Sequence, residues 1–379
     1  MIYMDYAATA PISGKALEEM IQCYREVFGN PSAIHSPGQA ARNALENARV
    51  RIAKALGALN TEVFFTSGGT ESDNWVLEGI ARKKGRGHII TTAIEHNAIL
   101  RTVEHLEERG FTVTRLLPDR FGRITPEQLE AAITPDTILV SVMTANNVVG
   151  TIQDIPALAK IARSRRVPFH TDAVQAVGHI ALNFRKLGVD YLSLSAHKFG
   201  GPRGVGALIC RMPNTLPPLI FGGGQERGKR SGTEDVPGIV GMAKALEQRT
   251  AGMTAETAHL TAMRDRLIDG MTRNGGVFLT GDPSNRLPGM ASFVVAGVKH
   301  SAFLVNALNE LGVCVSSGSA CSAASREASH VLEAMGYDSV LSRCALRFSL
   351  GQENTMDEVE HVIGIMPAVI EAQRAKGMW

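Results

Sequence analysis

The chain has 379 residues with 39 basic and 37 acidic side chains, a formal charge of +2, so no global field draws it to nucleic acid or to an anionic membrane. Five cysteines, an odd number without CxxC spacing, argue against a disulfide framework or a zinc ribbon and point to a reducing cytoplasm. No apolar run reaches the roughly 18 residues of a membrane span, and the first eleven residues lack the basic-then-apolar order of an export signal, so a soluble, unexported chain is expected.

After an extended start, helical periodicity runs through 14–28 and 38–56, separated by Gly-Asn-Pro and Ser-Pro-Gly punctuation. Short apolar runs at 62–66, 88–92, 112–116, 137–144, 168–171, 191–194 and 207–211 then alternate with helical stretches, the pattern of a mainly parallel sheet covered on both faces. From about residue 253 a long amphipathic helix leads to new strands at 292–295, 313–316 and 345–349 and a final helix near 356–373. The expected fold is therefore α/β, with a large domain over 13–252 and a smaller α+β domain over 253–379 to which residues 1–12 return.

Polar groups gather where the predicted strands end. Lys198 stands after the run 191–194 and before a Gly-Gly-Pro turn, at the strand edge where open α/β sheets bind ligands. Alone it would read as a solvated loop lysine. Its companions change that reading. Gly68, Gly69 and Thr70 follow the run 62–66 and would offer backbone amides and a hydroxyl to an anion at a helix N-terminus, although a plain strand-to-helix turn looks similar. His96 follows 88–92, where a structural histidine is also common; Asn146 and Asn147 follow 137–144; Asp172 and Gln175 follow 168–171. A lysine, a carboxylate and an anion cradle on one edge suit pyridoxal phosphate, with the amine forming a Schiff base and the carboxylate holding the pyridinium proton.

The motifs DYAAT at 5–9, GNPSAIHSPG at 29–38, TSGGTESDN at 66–74, EHNA at 95–98, TDAVQAVG at 171–178, SAHKFGGPRG at 195–204, GGGQERGKRSGTE at 222–234, SSGSAC at 316–321 and LRFSLG at 346–351 resemble those of the NifS/IscS type of cysteine desulfurase. These are class V aminotransferases of fold-type I, and the resemblance spans essentially the whole chain. It implies a large domain built on a mainly parallel seven-stranded sheet and pyridoxal 5'-phosphate as cofactor. It also implies residue roles. Lys198 is similar to the Schiff-base lysine and Asp172 to the pyridinium partner, Gln175 and Asn147 to the contacts of the ring hydroxyl, and Gly69, Thr70, Ser195 and His197 to the phosphate ligands. His96 resembles the histidine that stacks on the ring and shuttles protons, and Arg347 the arginine that clamps the substrate carboxylate. Thr233 resembles the threonine that reaches the phosphate in the neighbouring subunit, which implies a homodimer.

Cys321 lies in a run of small residues with little to anchor a core, so an accessible nucleophile is expected there. Cys23, Cys210, Cys314 and Cys344 fall in helix or strand patterns and read as small hydrophobes. In the family reaction the cysteine attacks the sulfur of L-cysteine, forms a persulfide and releases alanine. The sulfur then passes to an iron–sulfur scaffold or another acceptor, as in tRNA thiolation. No resident metal is implied, with Cys321 at most a transient iron–sulfur ligand. Val148 after the asparagine pair and REAS at 326–329 depart from common family patterns and bear on the loop and its docking surface. The alternatives are a selenocysteine lyase or another class V aminotransferase, which would share Lys198 and Asp172, and a non-catalytic scaffold of the same fold.

Overall fold

The computed structural model describes residues 1–211, 216–318 and 328–377. Seven strands form the main sheet in the spatial order Val63–Thr66, Gly206–Cys210, Tyr191–Ser195, Phe169–Asp172, Thr137–Ser141, His88–Thr92 and Thr112–Leu116. Gly206–Cys210 runs antiparallel to both neighbours and the other pairings are parallel. Six of the seven strands, all but the edge strand Thr112–Leu116, are buried along their whole length, as helices covering both faces of the sheet require. Every strand but the antiparallel Gly206–Cys210 ends on the same edge of the sheet.

A second, antiparallel sheet contains Val277–Leu279, Met290–Val295 and Ala345–Ser349, in a register that places Ser292 opposite Arg347. The chain start returns to this region: Ile2–Tyr3 pairs in parallel with Val313–Cys314, and Asp5 bridges to Ser349. The Val277–Leu279 strand escapes sequence reading because it is three residues long with an exposed Phe278. The run at 137–144 pairs as a strand only to Ser141; beyond it the chain bends into the asparagine turn.

The two sheets own separate apolar clusters, joined by the helix Val236–Thr272. Met242 and Leu246 sit in the large cluster, whereas Met263 and Leu267 pack with Phe293 and Phe348 in the other. This helix begins seventeen residues before the position expected from its amphipathic pattern. Glycines explain the difference. Gly238 and Gly241 lower helix propensity in the first turns, yet a Cβ on Gly241 would lie 2.5 Å from Met20 Cγ, so close packing on the helix Gly14–Glu26 calls for glycine there. Asp235 starts the helix by accepting from Gly238 N at 3.1 Å, with Pro237 in the first turn.

Candidate active site

Where the strands end, a cavity of about 550 Å³ opens between the two sheets. Asp172, the last residue of its strand, is 5% exposed, and its Oδ1 accepts from Val174 N at 2.9 Å. Burial raises its carboxyl above the usual range, while His96, the Val174 N–H and Lys198 pull it back. Lys198 follows the neighbouring strand in a short 3₁₀ turn. Its Nζ donates to the carbonyls of Ala7 at 2.7 Å and Ala8 at 2.9 Å. Gln175 Nε2 donates to the same Ala7 carbonyl at 2.9 Å, so the returning N-terminal segment forms part of the wall.

Gly68, Gly69 and Thr70 open the helix Gly69–Lys84, whose N-terminus has no side-chain cap, leaving its first amides to meet an anion. Glycine is needed twice here. Gly68 has a φ of 155°, and a Cβ on Gly69 would come within 2.5 Å of Val174 Cγ2. Ser195 and His197 face the same cavity. His197 Nδ1 lies 3.1 Å from Thr9 Oγ1, and burial, with Lys198 and Arg203 nearby, brings its imidazole down to about 4.

His96 caps the helix Asn97–Glu108: its Nδ1 accepts from Ala98 N at 3.1 Å. The neutral ring therefore carries its proton on Nε2. Burial lowers its pKa, opposed by Asp172 and assisted by Lys198. Arg347 reaches the cavity from the second sheet and is 1% exposed. Its Nη2 binds Asp5 Oδ1 at 2.7 Å, and its Nη1 donates to the carbonyls of Asn147 at 2.6 Å and Gly318 at 3.2 Å. Arg347 Nε meets no partner among the described residues. A carboxylate already engages one arm of this fork, as a substrate carboxylate would.

Lys198, Asp172, His96, Gln175, Asn147, Gly69, Thr70, Ser195, His197 and Arg347 thus share one cavity. Thr233 does not line it and is exposed on the loop before the long helix. Cys321 lies outside the described residues, but Gly318 before it is bound to Arg347 and His330 after it lines the cavity. Sequence reading missed Asp5, Asp73, Glu95 and His330. Asp73 lies within a regular helix pattern and His330 within a short helix, so neither has a local signal; Glu95, an acid in the apolar context AIEHN, offered one.

The class-V aminotransferase model matches residues 2–362. A curated cysteine desulfurase IscS from Methanosarcina thermophila is 45% identical over 376 residues, covering 98% of this chain and 93% of that protein. The chain belongs to the cysteine desulfurase group of the class-V aminotransferases. A second such desulfurase, from Dictyoglomus turgidum, is 47% identical over 377 residues, covering 98% and 95% of the two chains. Among solved structures a NifS-like protein superposes with a TM-score of 0.92 at 39% identity, covering 98% of this chain and 99% of its own. A structure described as SspA in complex with cysteine gives 0.83 at 37% identity, covering 92% and 99%.

Class-V enzymes use pyridoxal phosphate, and the cavity of this desulfurase-family chain has a donor set that fits that group. Lys198 supplies an amine for the aldehyde, Asp172 a buried carboxylate for the ring nitrogen, and the uncapped glycine turn a cradle for the phosphate that a Cβ at Gly69 would crowd. Glu95 Oε2 is buried without a hydrogen-bond partner among the described residues, as polar walls of a ligand site often are before the ligand is present.

Proposed function

We propose that this chain is a pyridoxal-phosphate-dependent cysteine desulfurase that converts L-cysteine to L-alanine and takes the sulfur onto Cys321. The observation that carries this reading is that Lys198 with Asp172, and Arg347 from the other sheet, reach one cavity to which Gly318, three residues before Cys321, is tied. The SspA structure holding cysteine has the same fold and supports a cysteine-sized substrate.

In this reading Lys198 and Asp172 hold the cofactor, with Asn147 and Gln175 beside its ring and Gly69, Thr70, Ser195 and His197 around its phosphate. Bound there, pyridoxal phosphate supplies an electron sink for the carbon skeleton of the substrate. Arg347 orients the substrate carboxylate. Lys198 Nζ holds or takes the α-proton, and His96, with Nδ1 occupied by the Ala98 N–H, offers a proton from Nε2. The Cys321 thiolate attacks the substrate sulfur; an S–S bond forms, the C–S bond breaks, and alanine leaves. The persulfide then passes to an acceptor, with iron–sulfur cluster assembly as the favoured destination. Thiols at Cys23, Cys314 and Cys344 suit a reducing cytoplasm.

Alanine and reducible sulfur should be measured from L-cysteine with a thiol reductant, for wild type and Cys321→Ala together. Matched products that disappear in the variant are expected. Undiminished sulfur transfer by Cys321→Ala, or a keto acid in place of alanine, would overturn this function in favour of another class V reaction.

A further inference from the structure

Glu95 has no part in the chemistry above, yet it lies in the wall of the cavity and is fully buried. Its two oxygens are treated differently. Oε1 accepts from Thr92 Oγ1 at 2.8 Å and from Met143 N at 2.9 Å. Oε2 is buried and meets no partner among the described residues. An ionised carboxylate would leave that oxygen bare beside Asp172, a second buried acid, an arrangement that burial and like charge both oppose. A neutral acid avoids this cost. Because Oε1 already serves two donors it is the carbonyl oxygen of such an acid, and the proton belongs on Oε2.

We propose that Glu95 is a neutral carboxylic acid of the active site, whose Oε2–H donates a hydrogen bond to an acceptor atom of the bound cofactor. The identity of the cofactor rests on the function proposed above; the protonation of Glu95 does not. Burial pushes its carboxyl up to about 8, with the Met143 N–H and Thr92 hydroxyl opposing and Asp172 adding to the rise. The charged and titratable groups around it are Asp172 at its strand end, Asp73 on the helix Gly69–Lys84, His96 next in sequence, Lys198 across the cavity and His330. Asp73 is itself held well above the usual carboxylate range by burial and then by Asp172. His330 Nε2 donates to the Glu95 carbonyl oxygen at 3.1 Å, so this ring is anchored to the backbone and not to the acid.

The sign of the pH effect follows from linkage. The native chain retains a proton that an unfolded glutamic acid, with a pKa of about 4.3, releases. Glu95 therefore makes stability fall as pH rises from that value through about 8. Glutamine copies the neutral acid, with an oxygen for the two donors and an NH₂ in place of the hydroxyl, but cannot ionise.

The test compares wild type, Glu95→Gln and Glu95→Ala as full chains. Thermal stability without added cofactor should decline less between pH 6 and pH 9 in Glu95→Gln than in wild type. The dissociation constant for pyridoxal phosphate near pH 7 should rise about tenfold in Glu95→Ala, the worth of one hydrogen bond of about 1.4 kcal/mol, and stay near wild type in Glu95→Gln. Above about pH 8 the cofactor should weaken in wild type relative to Glu95→Gln. Equal pH slopes of stability in wild type and Glu95→Gln would overturn the neutral acid, whether or not cofactor binds. Equal cofactor loss in both variants would overturn the donor role. No pyridoxal phosphate binding by any of the three chains would overturn the donor role and the proposed function together, while the stability slope would still decide the protonation.

Discussion

Asp172 and Lys198 sit on adjacent strand ends, and neither would be placed so cheaply without the other. A carboxylate buried to 5% exposure loses most of its hydration, and what opposes that loss is local: the His96 imidazole, the Val174 N–H and the Lys198 side chain. The groups proposed to meet the cofactor and substrate thus oppose the rise that burial imposes on the Asp172 carboxyl. Asp172→Asn tests this with little change of shape, since the amide oxygen can still accept from Val174 N. The expected outcome is a folded protein that binds pyridoxal phosphate more weakly and turns over L-cysteine on the order of 10²-fold more slowly or worse, because a neutral partner no longer holds the ring nitrogen protonated. A purified Asp172→Asn chain with the wild-type visible spectrum and rate would show that the carboxylate is not the ring partner.

Among the elements, the helix Gly69–Lys84 carries the most precise demand, because its first turn must approach both the Ser195 strand end and Val174. A Cβ on Gly69 would press on Val174 Cγ2 at 2.5 Å, and Val174 is the residue whose N–H holds Asp172. Gly69→Ala is therefore expected to raise the cofactor dissociation constant by about tenfold or more while leaving the melting temperature of the cofactor-free chain within a few degrees. A large loss of melting temperature without loss of cofactor affinity would assign the glycine to folding instead. Elements of this kind were legible in the sequence: the strands His88–Thr92, Thr112–Leu116 and Ala345–Ser349 have the expected bounds, since short β-prone runs between helical stretches and turn signals leave few other readings. The early start of the long helix was hidden because Gly238 and Gly241 answer to tertiary packing and not to propensity. The convergence of Lys198, Asp172 and His96 was legible for the same reason as the strands, since parallel order puts their ends on one edge. The salt bridge from Asp5 to Arg347 was not, because 342 residues separate the pair and only the return of the chain start to the second sheet joins them.

On the scale of the whole molecule, the cavity takes its walls from both sheets, and Thr233 remains outside it, exposed just before the helix that links the two apolar clusters. We propose that a hydroxyl so placed serves the phosphate cradle of a second copy of the chain and not that of its own. The proposed homodimer then contains two sites, each completed by the other subunit's Thr233, an arrangement that two-fold symmetry makes reciprocal. Lys198→Ala and Thr233→Ala should each be impaired alone. When the two are mixed under conditions that exchange subunits, the hybrid has one site that lacks both groups and one site that has both. At random exchange half of the dimers are hybrids, so about one-quarter of wild-type activity should return beyond the residual activity of the separate variants. A mixture that shows only the average of its two components, although exchange is verified by mass-tagged subunits, would place Thr233 outside the site and leave each chain to bind its cofactor alone.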